Sequence, residues 1–390
     1  MNPITEELKR MFRPTFAWLA IAGAVCLSII GIAAIGGTSE PFQAPRQGFW
    51  LIISLVVMLF LMLPHPRLIG LASYTMLGLT IALLLVLIIP GVPGWLVPVR
   101  NNARCWINLH FMNLQPSELA KIAFVLSLAW YLRFRQNYRT LLGLLPPFAI
   151  MFVPVILILK EPDLGSALVF APAMFFVLVA AGAKIKHMLS LVAIGAMFVA
   201  INVAVIYTLP EEFQLLKPYQ QRRITQFVDQ EGYQQKMAMT LLGSGGVAGY
   251  GEDRSKVIVR YNHLPEDHND MIFAVIVNRW GLLGGAATIG LYALVVVSFL
   301  IVAGQAKDPF ARLTSVGFAG VIFWQASTNM AMTLGILPIT GITLPFVSYG
   351  GSSLLATFMM VGLVANFATR PPQMLSRPSF EYDNPDVIFQ

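Results

Sequence analysis

FAWLAIAGAVCLSIIGIAAIGG, residues 16–37, contains no acidic or basic side chain. A helix of that length spans roughly 33 Å, enough to cross a bilayer hydrocarbon core of about 30 Å. The run from Leu71 to Ile89 is free of charge in the same way. Working outward, the whole chain has this character, with 57% of its 390 residues hydrophobic and 12% charged. A soluble globular protein carries about 25% charged residues, so soluble multidomain, disordered and collagen-like chains are excluded. The first run exceeds the apolar region of a signal peptide and lacks a small-residue cleavage site, so it reads as a retained span. In lipid the backbone must satisfy its own hydrogen bonds, which makes these runs helices. The fold class is an all-α polytopic membrane protein.

Ten transmembrane spans are expected, at 15–37, 48–64, 68–89, 114–132, 141–159, 164–183, 187–209, 276–303, 313–336 and 343–368. An even number places both termini on one side. With the termini in the cytoplasm, the inner segments hold thirteen Lys and Arg, against Arg46, Arg100, Arg104 and Lys160 in the short outer loops. That asymmetry follows the positive-inside rule, so the termini are expected in the cytoplasm. It also accounts for the net charge of +7 without any nucleic-acid partner. Residues 1–370 read as one membrane domain with a large external loop at 210–270, and residues 371–390 as a short cytoplasmic tail. Within that loop Pro218 can start a short helix, lying on the membrane surface or packed against the protein itself. Cys26 and Cys105 read as structural thiols rather than a disulfide pair.

Soluble-enzyme signatures are absent. Gly243–Gly251 is glycine-rich but lacks the Gly-Lys-Ser/Thr ending of a P-loop, and reads as a flexible turn. The five histidines have no zinc-type spacing, and no nucleophile elbow occurs. What remains is polar residues at the outer ends of spans. Glu118 and Lys121 share one helical face at the start of the fourth span, as a functional pair or as a self-neutralising ion pair. Gln115-Pro116-Ser117 makes a good helix start before them. Asp163, after Lys160-Glu161-Pro162, is either a helix cap or a site residue. His263-Leu264-Pro265-Glu266-Asp267-His268-Asn269-Asp270 leads into an apolar stretch at Met271. An acid there, partly desolvated, can serve as a general base or simply cap the next helix. Ser348-Tyr349-Gly350-Gly351-Ser352-Ser353 opens the tenth span with small residues, suited to close packing or a polar cavity.

Together these pieces resemble the SEDS family (shape, elongation, division and sporulation), the membrane glycosyltransferases represented by RodA and FtsW. Asn101-Asn102-Ala103-Arg104-Cys105-Trp106-Ile107 is similar to the family's N-G-A-R-R-W-I, and Leu264-Pro265-Glu266 with His268-Asn269-Asp270 to its L-P-E-x-H-T-D. Gln115–Lys121, Pro162–Gly165, Tyr219-Gln220 with Arg223-Ile224, the Gly243–Gly251 stretch, Leu337–Gly341 and Leu344–Ser353 follow in the family's order. The resemblance implies a peptidoglycan glycosyltransferase that polymerises lipid II on the outer face of the bacterial cytoplasmic (inner) membrane. A sugar 4-hydroxyl attacks the anomeric carbon of a second lipid-linked disaccharide-peptide, with inversion and release of undecaprenyl pyrophosphate. Such a transfer needs a base for the hydroxyl proton and positive charge on the departing pyrophosphate.

The resemblance assigns the base to Asp270. It places Arg104, Trp106, Gln115, Ser117, Glu118, Lys121, Asp163, Gln220, Arg223, His268, Ser348 and Ser352 around the substrate. Among these, Arg104, Lys121 and Arg223 are candidates for phosphate contact, and Trp106 for the sugar or lipid groove. A divalent cation, magnesium or manganese, can assist the leaving group, though no ligand set in the sequence demands one. Implied partners are membrane lipid, a class B penicillin-binding protein transpeptidase and the membrane proteins of the elongation complex. The short N-terminal tail favours a RodA-like elongation enzyme over an FtsW-like division enzyme.

The chain departs from the family pattern at Asn102, Cys105, Glu161, Asn269, Met271, Asn278 and Arg279. Two rival readings are a lipid II flippase or other transporter, and a non-catalytic scaffold for a transpeptidase. The first lacks internal repeats and multiple acids within the spans, and the second has no need of Asp270.

Overall fold

The computed structural model describes residues 10–99, 103–110, 112–140, 142–208, 221, 225, 232–262 and 264–370. Among them run twelve α-helices. Ten follow the expected spans: α1 (Ala17–Ile35), α2 (Gln43–Leu61), α3 (Pro66–Ile88), α4 (Pro116–Leu132), α5 (Leu145–Lys160), α6 (Leu164–Ala181), α7 (Ile185–Thr208), α10 (Ile272–Gln305), α11 (Pro309–Thr333) and α12 (Gly351–Thr369). Two more, α8 (Tyr233–Ser244) and α9 (Gly251–Tyr261), belong to the long loop before α10. A two-stranded antiparallel pair, β1 (Ile107–Asn108) and β2 (Asn113–Leu114), folds the loop between α3 and α4. The helix expected from Pro218 lies outside the described residues apart from Gln221 and Thr225, and the tail 371–390 lies outside them entirely.

Eight of the ten helices are long and apolar enough to cross a membrane; α4 and α11 are the exceptions. Both are enclosed by other helices. Every residue of α4 except Leu119 and Tyr131 is buried, and α11 buries Thr314, Ser315, Gln325, Thr328 and Asn329 along its length. A helix shielded from lipid by its neighbours needs no apolar exterior, so hydropathy understates it. At the periphery the opposite holds, and α7 exposes Ile185, Leu189, Val192 and Ile194.

Local signals set the helix ends. Pro116 and Pro309 occupy the first turns of α4 and α11, where a missing N–H costs nothing. The Asp163 and Asp308 side chains accept backbone N–H groups at the starts of α6 and α11. α4 packs against α3, α6 and α11, while α10 packs against α1 and α11, and α12 against α2.

The main correction concerns the tenth span, expected from 343. Its helix begins only at Gly351, and the preceding segment enters the protein without helical structure, burying Ile342, Leu344, Phe346, Val347 and Ser348. Pro345 has no N–H to donate, and Phe346 and Gly350 have positive φ, so a continuous helix is barred there. Non-helical backbone is tolerated at membrane depth only where protein surrounds it, and the burial here meets that condition.

The glycine-rich turn 243–251 is docked rather than loose. Leu282 N and Leu283 N donate to Gly246 O and Val247 O, and Tyr250 N donates to Asn278 O. Gly281, at φ +68 within α10, lies so close to Val247 that a Cβ would meet its carbonyl oxygen at 2.3 Å. Only glycine fits that kink. The departures at 278 and 279 serve the same junction. Asn278 is fully buried, accepts from Ser255 Oγ and donates to Leu241 O and Ser244 Oγ. Arg279 donates to Ala33 O near the end of α1 at 2.6 Å and pairs with Glu252 at 2.7 Å. A cation at a helix C-terminus is electrostatically favoured, so the charge change tethers α9 to α1.

Candidate active site

Two polar clusters meet at the start of α12. The first gathers residues from three helix beginnings. Asp163 Oδ1 accepts from Ser166 N at 3.0 Å, and Oδ2 accepts from Gln115 Nε2 at 3.0 Å and from Ser117 Oγ at 3.3 Å. Ser117 Oγ lies 3.2 Å from Ser166 Oγ. Gln115 N donates to Ser352 Oγ, which in turn donates to Asn113 O at 2.7 Å. Gln115, Ser117, Asp163 and Ser352 are therefore one hydrogen-bonded unit joining α4, α6 and α12. Helix N-termini carry partial positive charge, and at the start of α6 the Asp163 carboxylate already answers it.

The second cluster presents Asp270. The turn 264–270 is held at three successive carbonyls: Tyr349 N donates to His268 O at 2.9 Å, Ser348 Oγ to Asn269 O at 2.6 Å, and Asn329 Nδ2 to Asp270 O at 2.8 Å. Asn329 also donates to Ile342 O at 2.7 Å. Ser348 Oγ accepts from Leu344 N, and Gln47 clamps Ser348 O and Gly350 N. On the other side Asp267, almost wholly buried, accepts from Ser39 N at 2.7 Å in the α1–α2 connection. Asp270 itself is half-buried at the mouth of α10. The Asp270 backbone is thus anchored at the point from which its carboxyl projects, the first condition for a positioned acid or base.

His268 lies beside it, with Nδ1 3.2 Å from Asp267 Oδ1, Nε2 4.0 Å from Glu40 Oε2, and its ring against Tyr349. Burial works to lower its pKa, but the Asp267 hydrogen bond and the Asp267, Glu40 and Glu266 charges outweigh it and raise the pKa above the ordinary value.

Arg104 and Trp106 are half-buried in the loop after α3. Cys105 between them is buried, and its Sγ donates to Glu161 O at 3.2 Å, which seats this loop against the turn holding Asp163. Burial and the nearby Asp163 and Glu161 raise the Cys105 thiol well above its usual range, so it is an inert thiol. Arg104 makes no hydrogen bond or ion pair among the described residues, leaving its guanidinium available to a ligand. Glu118 and Lys121 pair with one another at 2.8 Å, 5% and 1% exposed. Gln220 and Arg223 lie outside the described residues.

Among the described residues no group of three His, Cys, Asp or Glu is arranged to hold a metal ion. Among the described residues the protein donors do not fit a resident divalent cation. Sequence reasoning passed over Asp267, Asn329 and Gln47, which hold the Asp270 turn. The available signal was an amide or carboxylate set in apolar surroundings, as at Asn329 within α11.

Comparison with known proteins extends this picture. The FTSW_RODA_SPOVE family model, described as "Cell cycle protein", matches residues 9–371. A relative from Geobacter metallireducens, named "Probable peptidoglycan glycosyltransferase FtsW", is 32% identical over 370 residues, covering 89% of this chain and 93% of its own. A solved chain from a peptidoglycan synthase complex is similar with a TM-score of 0.75 and 29% identity, covering 89% of this chain and 96% of that one. The crystal structure of the rod shape determining protein RodA of Thermus thermophilus is similar with a TM-score of 0.66 and 27% identity, covering 90% and 95%. With a family model running almost end to end and relatives alike over most of their length, the protein belongs to the FtsW/RodA/SpoVE family, the SEDS membrane proteins.

Proposed function

We propose that this peptidoglycan glycosyltransferase of the SEDS family polymerises lipid II at the outer face of the bacterial cytoplasmic membrane, with both termini in the cytoplasm. The observation that carries the reading is the turn 264–270, pinned at three consecutive carbonyls so that Asp270 is held at the mouth of α10. In the proposed step the acceptor sugar's 4-hydroxyl oxygen attacks the donor's anomeric carbon, and its proton passes to the Asp270 carboxylate. The bond from that carbon to the pyrophosphate oxygen breaks, and undecaprenyl pyrophosphate leaves with the electron pair. Arg104, with Arg223, supplies positive charge to the pyrophosphate, and the hydrogen-bonded unit of Gln115, Ser117, Asp163 and Ser352 lines the substrate path. Trp106 and His268 line the sugar path, and Ser348 supports the Asp270 turn. The Glu118–Lys121 pair supports the start of α4, with Lys121 reaching phosphate only by leaving Glu118. The magnesium or manganese that assists such a leaving group is carried by the substrate's phosphates, which need few protein ligands.

The partner is a class B penicillin-binding protein, supported by the likeness to a chain from a peptidoglycan synthase complex described as coordinating polymerization and crosslinking. An elongation role within the elongation complex is supported by the similarity to RodA. Relatives named FtsW favour a division role as the second reading. Complementation of RodA-depleted and FtsW-depleted cells separates the two.

The test is polymerisation of lipid II by purified protein, with and without its partner, comparing wild type with Asp270→Asn. Polymer from the wild type and none from the folded variant is expected. Equal polymer from both removes Asp270 as base. No polymer from either moves the weight to a scaffold or transporter.

A further inference from the structure

Glu161 stands beside the first cluster and no step above uses it. It is 3% exposed, and neither carboxyl oxygen has a hydrogen-bond partner. Its position is nevertheless fixed. Its N–H donates to Ile158 O as α5 ends, and its carbonyl accepts from Cys105 Sγ. Three features oppose a negative charge there: burial without a partner, the carboxylate of Asp163 two residues on, and the negative end of the α5 dipole. The titratable groups from neighbouring elements offer no relief. Lys160 ends α5 beside it and the loop after α3 brings Arg104 and Cys105, but neither cation forms an ion pair with it among the described residues; α4 brings the mutually neutralised Glu118 and Lys121, and α6 and α12 contain no ionisable side chain.

We propose that Glu161 is a neutral carboxylic acid and a positioning residue: uncharged, it lets its turn hold the loop after α3, through its backbone carbonyl, against the Gln115–Ser117–Asp163 unit, and ionised it loosens that turn. The inference rests on the reading of that unit as part of the polymerisation site. Burial first, then Asp163, pushes the Glu161 carboxyl up to about 9. At neutral pH the group is therefore protonated and resembles glutamine. In alkali a second anion would face Asp163, the carboxylate that holds Gln115, Ser117 and Ser166, and the unit would loosen.

The test compares wild type with Glu161→Gln, which keeps the shape and cannot ionise, in two measurements. In the first, lipid II polymerisation is followed from pH 7 to pH 10 with the partner present. The two proteins should match at pH 7, and the ratio of wild-type to variant rate should fall to roughly one tenth by pH 10, as a group titrating near 9 requires. In the second, melting is followed from pH 4.5 to pH 9. A carboxyl raised in the folded state contributes stability that is fully present below its unfolded value, and this is lost as pH rises through the folded value. Wild type should thus match the variant near pH 4.5 and fall progressively below it toward pH 9. Superimposable melting curves at every pH overturn the neutral-acid assignment. A melting gap with parallel pH–rate profiles overturns the positioning role. Should neither protein polymerise at any pH, the polymerase reading and the positioning role fall together, while melting still decides the state of Glu161.

Discussion

Asn329→Ala is the sharpest test of how Asp270 is held. Asn329 is fully buried on α11, and its amide nitrogen donates both to Asp270 O at 2.8 Å and to Ile342 O at 2.7 Å. Alanine leaves two carbonyls without that donor, one buried at Ile342 and one part-buried at Asp270. Each unsatisfied buried carbonyl costs about 1–3 kcal/mol, so a loss of roughly 2–6 kcal/mol in stability is expected. The effect on activity should be larger than stability alone explains. The freed Asp270 backbone can drift, and a misplacement of about 1 Å at a reacting group costs on the order of 100-fold in rate. Ser315→Ala is the control, because Ser315 is a buried residue of the same helix whose hydroxyl donates only to its own helix at Ala311 O. Both variants are melted in detergent and assayed for lipid II polymerisation at a temperature where both are folded. Asn329→Ala should lose about two orders of magnitude and Ser315→Ala should lose little. A folded Asn329→Ala that polymerises at the wild-type rate would refute the argument that this amide positions the base.

Two further outcomes follow from the ionisable groups. Lys121→Met leaves Glu118 buried without its counter-charge and should cost about 3–5 kcal/mol, whereas the double variant Glu118→Gln with Lys121→Met should recover most of it; melting of single and double variants decides. His268 is raised above its usual value, so its contribution to stability is fully present below about pH 6.5 and lost as pH rises through its folded value. Melting of wild type should therefore decline over that window relative to His268→Gln, and parallel curves would show that Asp267 does not stabilise the charged ring.

Much of the candidate site was legible in the sequence because its residues sit at helix beginnings, where short-range signals are strong. Pro116 and Asp163 announce the starts of α4 and α6, and both helices begin within two residues of the expected positions. The tenth span was misread for a physical reason. Leu344, Phe346 and Val347 are as apolar as a spanning helix, and hydropathy does not distinguish a buried irregular segment from a helix facing lipid. Asn278 and Arg279 were legible only as departures. That they bind α8, α9 and α1 together depends on backbones brought close at Gly249 and Gly281.

The sequence by itself determined that the chain is a bundle of membrane helices, since the cost of an unsatisfied backbone in lipid leaves long apolar runs no other structure. It also determined which ends of those helices carry polar chemistry, because caps and charges are local. Only the tertiary structure decided which of those ends meet. Gln115, Asp163 and Ser352 lie far apart in the chain yet form one hydrogen-bonded unit, and Asn329 holds Asp270 from another helix. The state of Glu161 was decided in the same way. A carboxyl in a short turn would be charged in water, and only the packing of α5, α6 and the loop after α3 removes the water and withholds a cation.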